Sequence, residues 1–450
     1  MNLPGIPITG ATPIAHPGPP PREADVVVVG GGIVGVMTGW FLAKAGLRAV
    51  VLEKGRVAGE QSGRNWGWVR QQGRDAAELP IMMEAHRFWQ GLPDAAKDAV
   101  GLGQPGVLYL AEDDAALARY DSWLDTARQH QLDTRLLSGD EVARLLPGAS
   151  RRYAGGLHTP SDLKAEPWIA LPVLARMAAE EGLTLVEGCA VRGLLREGGR
   201  VAGVATEAGE IRAPEVVVAG GAWSRLLLGA EGVAIPQLSV RATVVATAPG
   251  PEVAGVSGVE SGLAFRRRSD GGYTLAGGGF HELFIGRDAF ASLRAFLPQI
   301  RNDPFGHRFL PMAPKGYPDA WGTPRRWSLD APSPFEAVRV LDPRPNAAKV
   351  RQLPAAFARL FPQAGEVRAR AAWAGMIDTM PDEVPVVDRV AAIPGLTVAT
   401  GMSGHGFGIG PGMGRVVADL VRGRAPGHDL HRFRLSRFND GSPLVMGPTF

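Results

Sequence analysis

Short apolar runs closed by glycine alternate along this chain with longer stretches in which apolar positions recur every three or four residues. Residues 24–29 form the first run, residues 33–45 carry helical spacing and residues 48–52 form a second run, so strand, helix and strand are predicted without a gap. Amphipathic spacing predicts further helices over 79–89, 115–130 and 168–181, and strands are expected at 183–187, in a hairpin-like pair over 201–211, and at 215–219. At 238–244, 264–268 and 273–276, short alternating runs separated by glycine turns predict an antiparallel sheet instead. Residues 304–345 are proline-rich, carry scattered aromatics and lack a clear period, which predicts loops and short helices covering that sheet. The pattern returns to strand near Arg368 and at 396–399, and a helix is expected over 411–421 with Pro411 tolerated in its first turn.

The first unit also carries chemistry. Gly30, Gly32 and Gly35 supply G-x-G-x-x-G between strand and helix. The first glycine allows a tight turn, the second lets backbone approach a pyrophosphate, and the third lets helix and sheet pack closely. The helix N-terminus offers free N–H groups and a partial positive charge to phosphate. Glu53 ends the second strand, where an acid can bind ribose hydroxyls. Order of elements, glycine spacing and terminal acid together predict an ADP-containing dinucleotide.

The expected fold is therefore α/β: a Rossmann-like dinucleotide domain interleaved with an α+β substrate domain built on an antiparallel sheet. The boundaries predicted are 23–93, 152–236 and 366–436 for the first, and 94–151 and 237–365 for the second. Residues 1–22 hold seven prolines and read as a disordered or extended arm, and residues 437–450 as a tail. No internal repeat is visible.

Composition narrows the class. With 45% hydrophobic and 21% charged residues over 450 positions, the chain has the make-up of a globular protein long enough for two domains. Its net charge of +3 is spread along the chain, so nucleic acid is not expected as a partner. The tight run Arg266-Arg267-Arg268 falls in a predicted strand, where neighbours point to opposite faces. The one cysteine, Cys189, excludes an internal disulfide framework or a cysteine-built metal site and is expected as a small core residue on a strand. No metal-binding, nucleotide-hydrolysing P-loop or Ser/His/Asp pattern competes, and His428 and His431 read as surface residues. Apolar runs too short to span a bilayer, and the lack of a leader pattern, give a cytoplasmic expectation.

Three more glycine-bearing segments fall at predicted strand ends: residues 219–224 (AGGAWS), 372–376 (AWAGM) and 401–410 (GMSGHGFGIG). With Ser62-Gly63-Arg64-Asn65 and Thr379-Met380-Pro381-Asp382, they make the chain resemble, from Ala24 to Phe438, the D-amino-acid oxidase (DAO) family of FAD-dependent oxidoreductases. That group includes glycine oxidase, sarcosine oxidase and D-amino-acid dehydrogenases. The resemblance implies FAD, with its ADP on Gly30, Gly32, Ile33, Val34, Gly35, Glu53 and Lys54 and further contacts from Val191, Gly220, Gly221, Trp223 and Gly375. It implies an isoalloxazine held between Arg64, Asn65 and Trp66 on one side and Gly404, His405, Gly406, Phe407, Gly408 and Ile409 on the other. The N-terminus of the helix after Gly410 would stabilise charge on the reduced ring. Several strand-end glycine segments exceed what one nicotinamide uses, which favours FAD over NAD. Cys189 lies outside any segment matching covalent attachment, so non-covalent FAD is expected.

The same resemblance implies oxidation of a C–N bond of an amino acid or N-alkyl amine by hydride transfer to flavin N5, giving an imine that hydrolyses. Arg70 matches the position of an arginine near the substrate carboxylate, and Trp66 and Trp68 could wall an apolar or cationic pocket. Arg70, Trp68 and His405 are the candidate catalytic set, His405 being expected to fix its loop by ring hydrogen bonds rather than act as base. The usual carboxylate anchors of the family correspond here to Gly408 and Ile377, so Arg70, with one of Arg266 to Arg268, is left for that work, or the substrate is held differently. Oxygen, a quinone or an electron-transfer protein could accept the electrons. The rivals are a 2-hydroxy-acid dehydrogenase, with His405 as base, and a flavin-carrying subunit of a heteromeric dehydrogenase.

Overall fold

A computed structural model describes residues 6–278, 281–302 and 307–448. Val26–Val29 is the heart of a six-stranded sheet, paired in parallel with Ala49–Glu53 on one side and Glu215–Val218 on the other. Four consecutive valines suit this place, because a central parallel strand is covered on both faces. Thr184–Glu187 extends one edge; Leu396–Thr400 and then the antiparallel Val386–Arg389 extend the other. The helix Ile33–Lys44 covers one face and lies against the helix Gly406–Val421. Glycine sets their separation: a Cβ on Gly410 would stand 2.3 Å from Ile33 Cγ1, and one on Gly414 2.5 Å from Met37 Cβ.

The second layer is a ten-stranded, mostly antiparallel sheet. Leu238–Thr247 is its longest inner strand, pairing along its length with Ala369–Thr379 and, on the other edge, with Tyr273–Ala276 and His281–Phe284. Ala264–Arg267, Ser257–Val259, Val107–Ala111, Gly155–Thr159 and Arg135–Ser138 continue it. Two strands placed by sequence in the nucleotide unit, Gly155–Thr159 and Ala369–Thr379, thus belong to this sheet. A segment read as a strand-end turn, residues 372–376, lies within the strand Ala369–Thr379.

Other departures have local causes. Two of the longer helices were not predicted: Arg287–Asn302, which has apolar residues on two sides, and Ala347–Leu360, which contains Pro354. Within the expected loops of 304–345, His307–Leu310 forms a strand and Pro334–Ala337 a short helix, while residues 303–306 lie outside the described ones. Cys189 is buried, but in the link between Thr184–Glu187 and Val191–Glu197 rather than on a strand. His428 is not a free surface residue, since its Nε2 lies 2.8 Å from Glu84 Oε2.

The arm is docked over its described part, residues 6–22. Glu187 Oε2 accepts from Ala15 N (2.5 Å) and His16 N (3.1 Å), and Arg56 Nε donates to Thr12 O (2.5 Å).

Candidate active site

The cavity begins where Val26–Val29 ends. Gly30 takes φ +116° and a Cβ there would meet Ala219 O at 2.5 Å, so only glycine lets the chain turn against the neighbouring strand. The N-cap Gly32 gives the helix Ile33–Lys44 no side-chain cap and its first turn holds no acid, leaving its positive end open to an anion. Ser62, from the short helix Gln61–Arg64, accepts from Ile33 N at 2.9 Å. Glu53 accepts from Gly31 N and Gly55 N, both at 2.7 Å, and burial pushes its carboxyl up to about 6. Beside it Lys54 Nζ donates to Glu60 (2.7 Å) and lies 4.3 Å from the Trp223 ring centre, while Trp223 Nε1 donates to the same Glu60.

One cavity of about 1010 Å³ runs from this turn to the face of the large sheet. Gly30, Gly32, Ile33, Val34, Glu53, Lys54, Val191, Gly220, Gly221 and Trp223 line its first part. Arg64, Asn65, Trp66, Gly375, Gly404, His405, Gly406 and Phe407 line the middle, and Trp68 and Arg70 stand beyond with Tyr109, Tyr120, Val240, Ala242, Ile377 and Met402. There is room for a ligand against the glycines, since the atom nearest a Cβ on Gly32, Gly220, Gly375 or Gly404 is a protein atom 3.3 Å or more away.

Three expected residues do not reach it. Gly35 is a packing residue, its absent Cβ leaving 2.0 Å to Gly30 O. Gly408 faces the backbone of Val69 and its carbonyl accepts from Trp89 Nε1 at 2.9 Å, so a side chain there would be blocked at 3.0 Å. Ile409 is fully buried in the core. The cause is the helix start: Gly406–Val421 is one helix with Pro411 inside it, so its N-terminus opens at His405 and Gly406 instead of after Gly410.

Arg64 is wholly committed to protein. Its guanidinium donates to Gly59 O (2.8 Å), Ala374 O (2.9 Å), Ile8 O (3.0 Å) and Asp342 (2.6 Å), tying four segments around the cavity. Arg266 is spent likewise, gripping Glu166 at 2.9 and 2.8 Å. Arg268 is held by Thr247 O and Asp270, and Arg267 by Gly250 O and Pro251 O, so the arginine run offers no anchor to the cavity. Arg70 does face it, its guanidinium 5.9 Å from the Tyr109 ring centre and one nitrogen donating to Gln72 O.

Trp66 and Trp68 meet edge to face at 5.3 Å, as do Tyr109 and Tyr120 at 6.1 Å, and Trp68 and Tyr109 lie tilted at 6.5 Å, giving a continuous aromatic wall beside Arg70. The buried indole Nε1 of Trp68 has no hydrogen-bond partner among the described residues. The His405 ring does not fix its loop by the expected hydrogen bonds, because Nδ1 also lacks one. Backbone does that work: Arg74 Nη2 donates to His405 O (3.0 Å) and His405 N to Met402 O (2.8 Å). Burial, with Arg70 and Arg74 nearby, holds the imidazole well below its usual range and hence neutral. Sequence reasoning missed Glu60, Tyr109 and Tyr120; only the SGRN segment gave a signal, for Ser62.

Among the described residues no group of three or more His, Cys, Asp or Glu could hold a metal, and no helix is long and apolar enough to cross a membrane.

The family of FAD dependent oxidoreductases called DAO matches residues 25–420. Glycine oxidase of Pseudomonas aeruginosa is 27% identical over 89% of this chain and 95% of its own, and the sarcosine oxidase subunit beta of Rhizobium meliloti 26% over 95% and 91%. The solved L-amino acid deaminase of Proteus myxofaciens, in complex with anthranilate, superposes with TM-score 0.89 at 30% identity, covering 96% of this chain and 97% of that one.

Proposed function

Because this chain belongs to the DAO family of FAD-dependent oxidoreductases, we propose that it oxidises an α-amino acid with a bulky apolar or aromatic side chain, of L configuration, to the 2-oxo acid and ammonia. When bound, FAD supplies a two-electron acceptor for the C–H bond next to nitrogen. The residues present fit it. The uncapped helix at Gly32 would hold the pyrophosphate and Glu53 the ribose, while Arg64–Trp66, Gly375 and the helix start at Gly404–Phe407 would flank the ring. No cysteine lines the cavity, in keeping with non-covalent binding.

The observation that carries the substrate class is Arg70 beside the wall Trp66–Trp68–Tyr109–Tyr120. A guanidinium suits bidentate carboxylate binding. The unpartnered indole N–H of Trp68 is a second donor for the same group, and the rings give an apolar side chain a surface to cover. The wall excludes water, and desolvation with the Arg70 charge nearby lowers the pKa of the substrate amine, so it reacts neutral without a dedicated protein base. The Cα–H bond breaks, a C=N bond forms, and water adding to that bond releases ammonia. Support for the L series comes from the deaminase likeness, and its anthranilate complex accords with an aromatic carboxylate beside an aromatic wall.

Turnover of L-phenylalanine and of 2-phenylethylamine with an artificial electron acceptor tests this. Arg70→Ala should lower kcat/KM for the amino acid about 100-fold, the loss typical of a buried charge partner, and leave the amine nearly unchanged. Equal losses on both would remove Arg70 from carboxylate binding.

A second reading has its own observation. Likeness to sarcosine oxidase subunit beta over 95% of the chain favours a flavin-carrying subunit within a larger assembly, and full activity of the isolated chain would refute it.

A further inference from the structure

Arg74 is 1% exposed, and so is its counter-ion Glu78. A buried ion pair is weak grounds for stability, because desolvation offsets much of the attraction. What the pair joins is more telling. Gly73, at φ +67°, turns the chain back so that Arg74 Nε donates to Arg70 O at 2.8 Å. Nη2 donates to His405 O at 3.0 Å and Nη1 to Glu78 Oε2 at 3.1 Å. The carbonyl of Arg74 accepts from Trp123 Nε1 at 3.0 Å, on the helix Asp114–Gln129 that also carries Tyr120. One residue thus bonds the segment of the carboxylate anchor, the Gly404–Phe407 loop and the helix behind the aromatic wall.

Glu78 fixes the direction of that guanidinium. It stands at the N-cap of the helix Leu79–Gln90 but gives the helix no side-chain cap, turning to Arg74 instead. Its Oε2 also lies 3.8 Å from His405 Nδ1, and neither Glu78 Oε1 nor His405 Nδ1 has a hydrogen-bond partner among the described residues. Three acceptors on separate segments suit a planar fork; a lysine ammonium on a flexible stem does not span them.

We propose that Arg74, fixed by Glu78, is a positioning residue that holds the Arg70 backbone in register with the His405 loop, so that a carboxylate on Arg70 sets the substrate Cα–H against the bound flavin. The inference rests on the carboxylate role given to Arg70 above. A misplacement of about 1 Å can cost about 100-fold in rate. An amine without a carboxylate is not tethered by Arg70 and does not feel that register.

The FAD-loaded wild type is compared with Arg74→Lys, Glu78→Gln and Arg70→Ala. Benzoate, a carboxylate that is not oxidised, is titrated against the flavin difference spectrum, and the limiting rate of anaerobic flavin reduction is measured with L-phenylalanine and 2-phenylethylamine. Arg74→Lys should keep the benzoate Kd within about threefold of wild type but lower the limiting rate with L-phenylalanine about tenfold or more, with the amine rate nearly unchanged. The difference spectrum at saturating benzoate should fall to about half or less, because the bound carboxylate no longer keeps its place against the ring. Glu78→Gln keeps an oxygen acceptor without the charge and should show the same pattern more weakly; it decides the matter where Arg74→Lys yields no flavoprotein. Equal losses on amino acid and amine, or an unchanged difference spectrum in Arg74→Lys, would overturn the proposal. Arg70→Ala separates the two claims. Unweakened benzoate binding in Arg70→Ala removes the carboxylate reading and this inference with it, whereas weakened binding there beside an intact L-phenylalanine rate in Arg74→Lys removes the positioning role alone.

Discussion

At the scale of single residues, the site is made as much by missing side chains as by present ones. Gly35→Ala would put a methyl 2.0 Å from Gly30 O, forcing helix and glycine turn apart. We expect a loss of about 1–3 kcal/mol in urea unfolding and a lower flavin-to-protein ratio on purification; an unchanged ratio would separate packing from cofactor binding. Trp68→Phe keeps the ring and removes the unpartnered N–H, so kcat/KM for the amino acid should fall about fivefold to tenfold while the phenylethylamine rate stays. The glycines and Glu53 were legible because each has a backbone reason to be there. The commitment of Arg64 was not, since its partners Ile8, Asp342 and Ala374 are brought together only by folding.

At the scale of elements, the helix Gly406–Val421 shows where reading stops. Five glycines and Pro411 look like a loop, yet Gly410, Gly412 and Gly414 are the positions at which the helix touches Ile33, Ile81 and Met37. Packing outweighs their poor intrinsic helix preference. Gly412→Ala, its Cβ 2.3 Å from Ile81 O, should therefore destabilise the protein, whereas substitution of a glycine to alanine in an exposed helix would help. A rise in melting temperature for Gly412→Ala would contradict this contact. Ala347–Leu360 escaped for the opposite reason, because Pro354 reads as a breaker while the apolar period on either side is sound.

The loop Gln71–Gln72 that follows Arg70 is pinned by Asp162, which accepts from Gln71 N (2.7 Å) and Gln72 N (3.3 Å). Burial pushes this carboxyl up to about 7 from an ordinary 3.8. An acid raised on folding holds a proton that the unfolded chain has released, so its contribution falls as pH rises between those two values. Asp162→Asn removes that titration. The variant should compare more favourably with wild type at pH 8 than at pH 5 by a few degrees of melting temperature, and the same difference at both would show that Asp162 does not titrate there.

At the scale of the whole molecule, the fold joins a mostly parallel sheet that carries the glycine turns to a mostly antiparallel sheet that closes the other side of one cavity. The two architectures were legible from the change in apolar period, and the order of segments along the chain followed. Their boundary was not, because Gly155–Thr159 is too glycine-rich to alternate and Ala369–Thr379 reads as a turn at its Trp373–Gly375 centre. The central claim is that this cavity presents an FAD ring to a carboxylate-anchored, bulky amino acid.

Anaerobic mixing of the purified flavoprotein with L-phenylalanine, D-phenylalanine, sarcosine and 2-phenylethylamine, followed by the visible flavin absorbance, tests that claim most directly. We predict rapid bleaching by L-phenylalanine, slow bleaching by 2-phenylethylamine, and slow or absent bleaching by D-phenylalanine and sarcosine. Bleaching by sarcosine alone, or by none of them, would contradict it.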